Sequence, residues 1–287
     1  MPNTTDVHLT ARYIINSPLA SGTQGNVLSG FDVQKSNKPV AIKIYQNSDE
    51  NSQSINSEIE ALKHLKKKTK RICAVLESQR NEDVSFVVMK KYEMDLFEFI
   101  SSDKVHLTDS TVKKIFKKIC LAVKDLHDAG VAHLDLKLEN ILLDKKQNIF
   151  LCDFGSCWIR DKSGCNGKKK NYVNLVMPGS QHQMSLGTGF LWQGTENYAS
   201  PEILKGKKSI NPFAADIFSL GIILYCLLTQ SFPDRFDLNM MNDTALPQKS
   251  RTLLKGLLSS SPSKRFSFRQ ILSHEWLKES KLKFFSL

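Results

Sequence analysis

Three polar side chains stand within one short stretch near the middle of the chain, and a fourth follows soon after. Asp135, Lys137 and Asn140 lie within six residues, and Asp153 comes eighteen residues after Asp135. Carboxylate and amide oxygens suit Mg²⁺, an ammonium neutralises phosphate, and a free carboxylate accepts a proton from a hydroxyl group. The spacing therefore predicts a site that holds metal-bound phosphate and activates an attacking hydroxyl. The alternative is a surface turn with scattered charges, which would need every spacing to arise by chance.

A short β-hairpin is needed to bring Asp153 back beside Asn140. The apolar runs 141–143 and 149–152 are separated by the polar residues 144–148, which is the pattern of two short strands joined by a turn. We therefore expect the two metal-ligand candidates to meet at the end of this hairpin.

An amphipathic helix is predicted immediately before this site. Thr108 is a good N-cap, and Gly130 follows the last helical residue, Ala129. Between them the apolar residues recur at helical spacing: Val112, Ile115, Phe116, Ile119, Val123 and Leu126. Such a helix buries one face and leads the chain directly into residues 133–140.

These motifs resemble those of eukaryotic protein kinases. His133–Asn140 resembles the catalytic loop, Asp153–Gly155 the metal-binding loop, and Val40–Lys43 the third strand of the small lobe. The lysine two residues after Asp135 matches the serine/threonine class. The His-Leu-Asp-Leu-Lys form resembles the catalytic loop of calmodulin-dependent-kinase relatives.

A glycine-containing turn near the N-terminus also resembles a kinase motif, the glycine-rich loop over the ATP phosphates. Gly22, Gly25 and Val27 match it, whereas Ala20 stands where the first glycine is expected. Glycines allow the backbone to approach phosphate closely. Alone, this pattern fits an ordinary β-hairpin turn equally well.

The resemblance implies an α+β fold, the two-lobed protein kinase fold, over residues 13–278. A small β-rich N-lobe would span about 13–91, and a larger, mostly helical C-lobe about 92–278. Residues 156–193 would form a long activation segment within the C-lobe. Its polar, basic composition predicts a flexible insertion that gates the cleft, contacts an acidic partner or has no role.

The resemblance also implies that ATP and Mg²⁺ bind between the lobes and that a protein serine or threonine receives the γ-phosphoryl group. Asp135 and Lys137 would be catalytic, and Asn140 and Asp153 would hold the metal. Nucleotide contacts are implied for Ala20, Gly22, Gly25, Val27, Ala41, Lys43, Glu58, Met89, Lys91 and Leu142.

In this family the third-strand lysine has an ion-pair partner on the following helix, and helical periodicity selects that partner. Glu58 lies on the apolar face of the helix predicted to follow Lys43, whereas Glu60 lies about 200° round from Glu58. The apolar face comprises Ile55, Ile59, Leu62 and Leu65. The plainer interpretation of Lys43 is an edge-strand lysine.

Leu134 is the most informative departure from the family pattern. It replaces an arginine that usually binds a phosphate on the activation segment, and Leu191 occupies the usual position of the phosphothreonine. The resemblance therefore predicts that activity does not need activation-segment phosphorylation. Ser185 and Thr188 remain candidate modification sites outside that alignment.

Several further residues have supporting roles in the resemblance. Thr195 would hydrogen-bond Asp135 and Lys137, Asp216 would anchor the catalytic-loop backbone, and Trp192 would line the pocket for the residue after the target hydroxyl. In addition, Glu202 would pair with Arg265. Two more helical runs are predicted near the C-terminus, over 249–258 and 268–277.

Net charge and composition limit which classes of partner the protein could bind. The 287 residues carry a net charge of +11, which favours a mostly solvated basic surface and leaves acidic protein partners and an acidic membrane surface open. Nucleic acid is an unlikely partner because the aromatic interleaving and base-reading modules of such proteins are missing. The longest apolar run, 220–228, is too short to span a bilayer, and residues 1–6 do not resemble a signal peptide.

The six cysteines show neither a CxxC pair nor zinc-ligand spacing, which favours reduced thiols in an intracellular, cytoplasmic protein, with the nucleus also open. Two rival functions stay open beside the kinase. One is a pseudokinase scaffold that binds nucleotide or partners without efficient catalysis. The other is a basic nucleic-acid-binding protein, whose sign would be steeply salt-dependent binding.

Overall fold

The structure is a computed structural model that describes residues 12–22, 25–46, 49–80, 84–102, 105, 107–160, 173–176, 190–233 and 246–278. Its strands are β1 (Tyr13–Gly22), β2 (Gly25–Asp32), β3 (Lys38–Gln46), β4 (Val75–Arg80), β5 (Val84–Lys90), β6 (Met94–Asp95), β7 (Val131–Ala132), β8 (Ile141–Leu143), β9 (Ile149–Leu151), β10 (Trp158–Ile159), β11 (Val173–Val176), β12 (Phe190–Leu191) and β13 (Ser209–Ile210). Its α-helices are α1 (Asp49–Leu65), α2 (Leu96–Ser101), α3 (Asp109–Asp128), α4 (Pro201–Leu204), α5 (Pro212–Thr229), α6 (Gln248–Leu257) and α7 (Phe268–Ser273).

The N-lobe is an antiparallel sheet of five strands in the order β1-β2-β3-β5-β4, joined by α1. A polar cluster ties its two edge strands together. On the β1 side, the Arg12 guanidinium lies 3.1 Å from Glu77 of β4, and the Tyr13 hydroxyl donates to the same carboxylate at 2.7 Å. The sheet is therefore curled rather than flat. One of its faces buries a small core of Tyr13, Val40, Ile42, Phe86 and Val88.

Strand register brings the nucleotide-contact candidates of the sheet to one face. Val27 pairs with Lys43 across β2 and β3, and Ala41 pairs with Met89 across β3 and β5. Directly paired residues share a face, as do residues two apart along a strand. Helix α1 supplies Glu58 to Lys43 on this face, and its buried residues Ile55, Leu62 and Leu65 join the main core.

The C-lobe is built around α3 and α5. Thr108 caps α3 by accepting the Thr111 N–H, and the chain leaves the helix at Gly130, where φ is +81°. By length and composition α5 could cross a membrane, the one such helix in the described ranges, but 78% of it is buried inside the fold. That burial is typical of the central helix of a large domain. The predicted two-lobed kinase fold is confirmed.

One sequence prediction about the C-lobe needs revision, and another lies mainly outside the described residues. The run 268–277 contains only the short helix α7, because His274 adopts an extended backbone (φ −63°, ψ 139°) that ends the helix. In the predicted activation segment, β11 lies between β12 and β13 in a three-stranded sheet. The expected flexible insertion falls mainly on 161–172 and 177–189, outside the described residues.

Candidate active site

The catalytic-loop residues contact one another closely. The Asn140 amide nitrogen donates to the backbone carbonyl of Asp135 at 2.8 Å and to its carboxylate at 3.1 Å. The Lys137 ammonium lies 3.2 Å from the Asp135 carboxylate and 3.0 Å from the Thr195 hydroxyl oxygen. Asp135 is therefore oriented by its neighbours. An oriented carboxylate of this kind suits a group that accepts a proton from a hydroxyl.

Asp216 anchors the backbone of the catalytic loop, as predicted. Its buried carboxylate accepts the backbone N–H groups of His133 and Leu134, both at 2.8 Å. His127 adds a third contact to Asp216 at 2.8 Å. These bonds stabilise the left-handed backbone of Leu134 (φ +61°), a conformation that costs a non-glycine residue about 1–2 kcal/mol. The fixed bend directs the following residue, Asp135, into the site.

The predicted hairpin places Asp153 beside Asn140. Strands β8 and β9 pair in register, and the Cys152 N–H donates to the Asn140 carbonyl at 3.1 Å. Asp153 also has a left-handed backbone (φ +60°). Strained backbone of this kind is concentrated at functional sites. The two metal-ligand candidates thus meet where the sequence predicts.

The Lys43 ammonium joins the two lobes. It lies 2.8 Å from Glu58 of α1 and 2.8 Å from Asp153 of the C-lobe, so the predicted partner is confirmed. Burial alone would lower the pKa of Lys43, but these two carboxylates outweigh it and raise the pKa well above its ordinary value. Conversely, burial raises the pKa of Asp153, yet the Lys43 charge leaves that pKa below its ordinary value. Both groups are therefore charged at neutral pH.

Tyr45 is a member of this cluster that sequence reasoning missed. Its buried hydroxyl donates to Glu58, and burial followed by the Glu58 charge raises the pKa of Tyr45 well above its ordinary value. Tyr45 lies two residues after Lys43 on β3, so strand alternation places both side chains on one face. That alternation was the available signal. The second carboxylate oxygen of Glu58 is buried and has no hydrogen-bond partner among the described residues.

The glycine-containing turn joins β1 and β2, where Gly22 pairs with Gly25 and Ala20 pairs with Val27. Gly25 has φ +150°, and a Cβ there would lie 2.3 Å from the Ile44 carbonyl oxygen, so only glycine fits. Ala20 is exposed, so the alanine that stands in place of the first glycine causes no strain among the described residues.

The remaining nucleotide-contact candidates lie around the connection between the lobes. Ala41 and Leu142 are half-buried, and Met89 is buried with its sulfur 3.6 Å from that of Cys73. The Lys91 ammonium donates to the Ser29 hydroxyl at 3.1 Å, which ties this connection to β2. A role for Lys91 through its backbone remains a prediction.

The oxygens of Asn140 and Asp153 fit a hard cation such as Mg²⁺. The Asn140 nitrogen is committed to Asp135, which leaves its amide oxygen for a ligand, and one Asp153 oxygen remains beyond the Lys43 contact. The Asp153 side chain is 33% exposed. In the described ranges no three His, Cys, Asp or Glu side chains form a metal site, so further ligands would come from phosphate and water.

Three supporting contacts differ in how well they were predicted. Glu202 and Arg265 form the expected ion pair at 2.6 Å. Thr195 makes both expected hydrogen bonds, but with different groups. Its backbone N–H donates to the Asp135 carboxylate at 2.7 Å, and its hydroxyl oxygen accepts from the Lys137 ammonium. The role predicted for Trp192, as a lining of the pocket for the residue after the target hydroxyl, stays a prediction. The Trp192 side chain is buried, and its indole N–H donates to the Leu134 carbonyl at 3.0 Å.

Comparison with known proteins gives a consistent family. The family model described as "Protein kinase domain" matches residues 13–277. "Fatty acyl-CoA synthetase and RNA processing-associated kinase 1" of Saccharomyces cerevisiae is 29% identical over 299 residues, covering 93% of this chain and 32% of the relative. "Serine/threonine-protein kinase SIK1" of Rattus norvegicus is 30% identical over 253 residues, covering 83% of this chain and 29% of the relative.

A human relative covers nearly the whole chain as well. "NUAK family SNF1-like kinase 1" of Homo sapiens is 29% identical over 285 residues, covering 94% of this chain and 39% of the relative. The chain therefore spans about a third of the length of these curated relatives.

Proposed function

The chain belongs to the protein kinase family, and we propose that it transfers the γ-phosphoryl group of Mg-ATP to serine or threonine hydroxyls of proteins. The observation that carries this proposal is the Lys43 ammonium, 2.8 Å from both Glu58 and Asp153. It fixes a positive charge where the two lobes meet, next to the oxygens that suit Mg²⁺. Phosphoryl transfer depends mainly on such positioning and charge stabilisation.

Each polar residue of the site has a distinct role in this reaction. Asn140 and Asp153 would hold Mg²⁺, which would neutralise charge on the phosphates, and Lys43 would hold the phosphates not transferred. A bond forms between the hydroxyl oxygen and the γ-phosphorus as the bond to the β–γ bridging oxygen breaks. Asp135 accepts the hydroxyl proton, and Lys137 neutralises charge on the transferred group.

The rest of the nucleotide would lie between the two lobes. The backbone at Gly22 and Gly25 would cover the phosphates, and Val27, Ala41 and Leu142 would pack on the adenine. In addition, Ala20, Met89 and Lys91 would border the nucleotide. The boundary between the lobes would fall near residue 91, since the sheet ends at Lys90 and α2 begins at Leu96.

We further propose that this activity does not depend on activation-segment phosphorylation. Leu134 lies in a buried apolar cluster, where an arginine would otherwise offer charge to a phosphate. The half-buried Trp158 of β10 packs against the same cluster. An apolar cluster gives a phosphate no compensation for its desolvation.

Transfer of labelled phosphate from ATP to a degenerate serine/threonine peptide library tests the proposed function, with Asp153→Asn as the matched control. We expect wild-type incorporation at least about a hundredfold above the control, as for loss of a charge-stabilising group. Incorporation equal to the control, in Mg²⁺ and in Mn²⁺, would favour the pseudokinase scaffold. Steeply salt-dependent binding to RNA or DNA would favour the nucleic-acid alternative.

An intracellular, cytoplasmic location with protein substrates stays a prediction, and so does the use of the basic surface for acidic partners. Imaging of the tagged full-length protein in its own cells tests the location. The peptide library also reports which residues around the target hydroxyl the site prefers.

A further inference from the structure

The carbonyl group of Leu134 is held by the segment that follows β12. The Trp192 indole N–H donates to its oxygen at 3.0 Å, and the Trp192 side chain is 3% exposed. Gly194 approaches the same oxygen so closely that an added Cβ would lie 2.5 Å from it. Two residues of this segment therefore contact one peptide group of the catalytic loop.

This peptide group immediately precedes Asp135. Leu134 is held on its N–H side by Asp216 at 2.8 Å and on its carbonyl side by Trp192. Its left-handed backbone (φ +61°) is a conformation that persists only when the surroundings enforce it. The same segment also donates the Thr195 N–H to the Asp135 carboxylate at 2.7 Å. Orientation of Asp135 is thus coupled to the segment that contains Trp192.

A small sheet ties this segment to the C-lobe core. Val176 of β11 pairs with Leu191, the residue directly before Trp192, and Val173 of β11 pairs with Ile210 of β13. The buried Ile210 side chain lies in one apolar cluster with Leu134 and Trp192. Backbone pairing and apolar packing therefore both support the segment that contains Trp192.

We propose that Trp192 is a positioning residue for Asp135. Its indole N–H, supported by the β12-β11-β13 sheet, holds the segment that follows β12 against the catalytic loop, which is the task that a phosphorylated residue would otherwise perform. This inference rests on the proposed kinase function and names the contact that makes phosphate unnecessary. Trp192 and strand β11, which the sequence does not predict, thereby both contribute to the orientation of Asp135.

The test compares Trp192→Phe with Trp158→Phe. Both changes replace an indole by a phenyl ring at the same apolar cluster, but only the first removes the hydrogen bond to Leu134. We expect Trp192→Phe to lower kcat for a peptide substrate roughly three- to thirtyfold, as for loss of one buried hydrogen bond. KM for ATP should stay unchanged in both variants, and Trp158→Phe should keep the wild-type kcat.

Hydrogen exchange of the purified full chain provides a readout that does not need activity. In Trp192→Phe the backbone amide of Thr195 and those of residues 134–136 should exchange at least about fivefold faster than in Trp158→Phe. If Trp192→Phe does not fold, Gly194→Ala tests the same contact, because its Cβ displaces the Leu134 carbonyl, and the same fall in kcat is expected.

Equal kcat and equal exchange in the two phenylalanine variants would overturn the positioning role. If the wild-type protein transfers no phosphate, the proposed function fails, and hydrogen exchange alone then decides the positioning role. Faster exchange in Trp192→Phe would uphold it, and unchanged exchange would overturn it.

Discussion

Two buried ion pairs, one in each lobe, differ in how fully their charged groups are hydrogen-bonded. In the C-lobe, the Arg265 guanidinium makes two hydrogen bonds of 2.6 Å to Glu202. Its remaining N–H groups include donors to the backbone carbonyls of Ser259 and Ala214, at 2.9 and 2.8 Å. Both charged groups are buried, and each carboxylate oxygen of Glu202 accepts from Arg265. A pair with this geometry offsets the cost of its own desolvation.

The N-lobe pair is shared and incomplete. Lys43 divides its charge between Glu58 and Asp153, which belong to different lobes. One Glu58 oxygen is buried without a hydrogen-bond partner among the described residues, and the Asp153 carboxylate is partly exposed. We infer that the Glu202–Arg265 pair stabilises the fold, whereas the Lys43 pair retains capacity for a ligand. Matched substitutions should separate the two roles.

The largest effect is expected from Glu202→Gln. It leaves the Arg265 charge buried without a counter-charge, which should lower the free energy of unfolding by about 3–5 kcal/mol. Denaturant unfolding monitored by far-UV circular dichroism measures this. Specific activity per folded molecule should change little. A loss below about 1 kcal/mol would show that the two ion pairs do not differ as described.

Glu58→Gln makes the same chemical change in the other pair. Lys43 keeps Asp153 as a counter-charge, so the free energy of unfolding should fall by only about 1–2 kcal/mol. Activity should fall roughly a hundredfold, because Lys43 is no longer held in position. Steady-state peptide phosphorylation, beside the unfolding curve of Glu202→Gln, checks both numbers. Nearly full activity in Glu58→Gln would show that the Lys43–Glu58 pair is not needed for activity.

The smallest effect is expected from Tyr45→Phe. This change removes the hydroxyl that donates to Glu58 but leaves the Lys43 contact, so stability should fall by about 1 kcal/mol. Activity should stay within about threefold of wild type, since neither charge is lost. Thermal unfolding and the peptide assay measure the two effects. A loss of activity as large as that of Glu58→Gln would assign Tyr45 a direct part in holding the phosphates.

Contacts that depend on local periodicity were predicted correctly from the sequence. The Lys43 partner is predictable because Glu58 lies on the single apolar face of α1. The position of Asp153 beside Asn140 is predictable because a short hairpin brings the ends of its two strands together. Within the catalytic loop, Asp135 and Asn140 lie only five positions apart, so their contact is largely determined by short-range geometry.

Three contacts between distant segments were not predicted because short strands and single hydrogen bonds leave no periodic signal. The pairing of β11 with β13 involves two residues on each side. The closure of the N-lobe sheet through Glu77 depends on one carboxylate. The burial of Trp192 follows from its contact with Leu134, 58 residues away in sequence. Each depends on how distant segments pack within one lobe, which composition does not encode.

We propose that this protein transfers phosphate without phosphate on its own activation segment. The most direct measurement is the initial rate of peptide phosphorylation by protein pretreated with a phosphatase, with intact mass spectrometry to count residual phosphates. The account predicts the full rate from the first turnovers, with no phosphate on the enzyme. A lag that ends only as phosphate accumulates on residues 156–193 would contradict it.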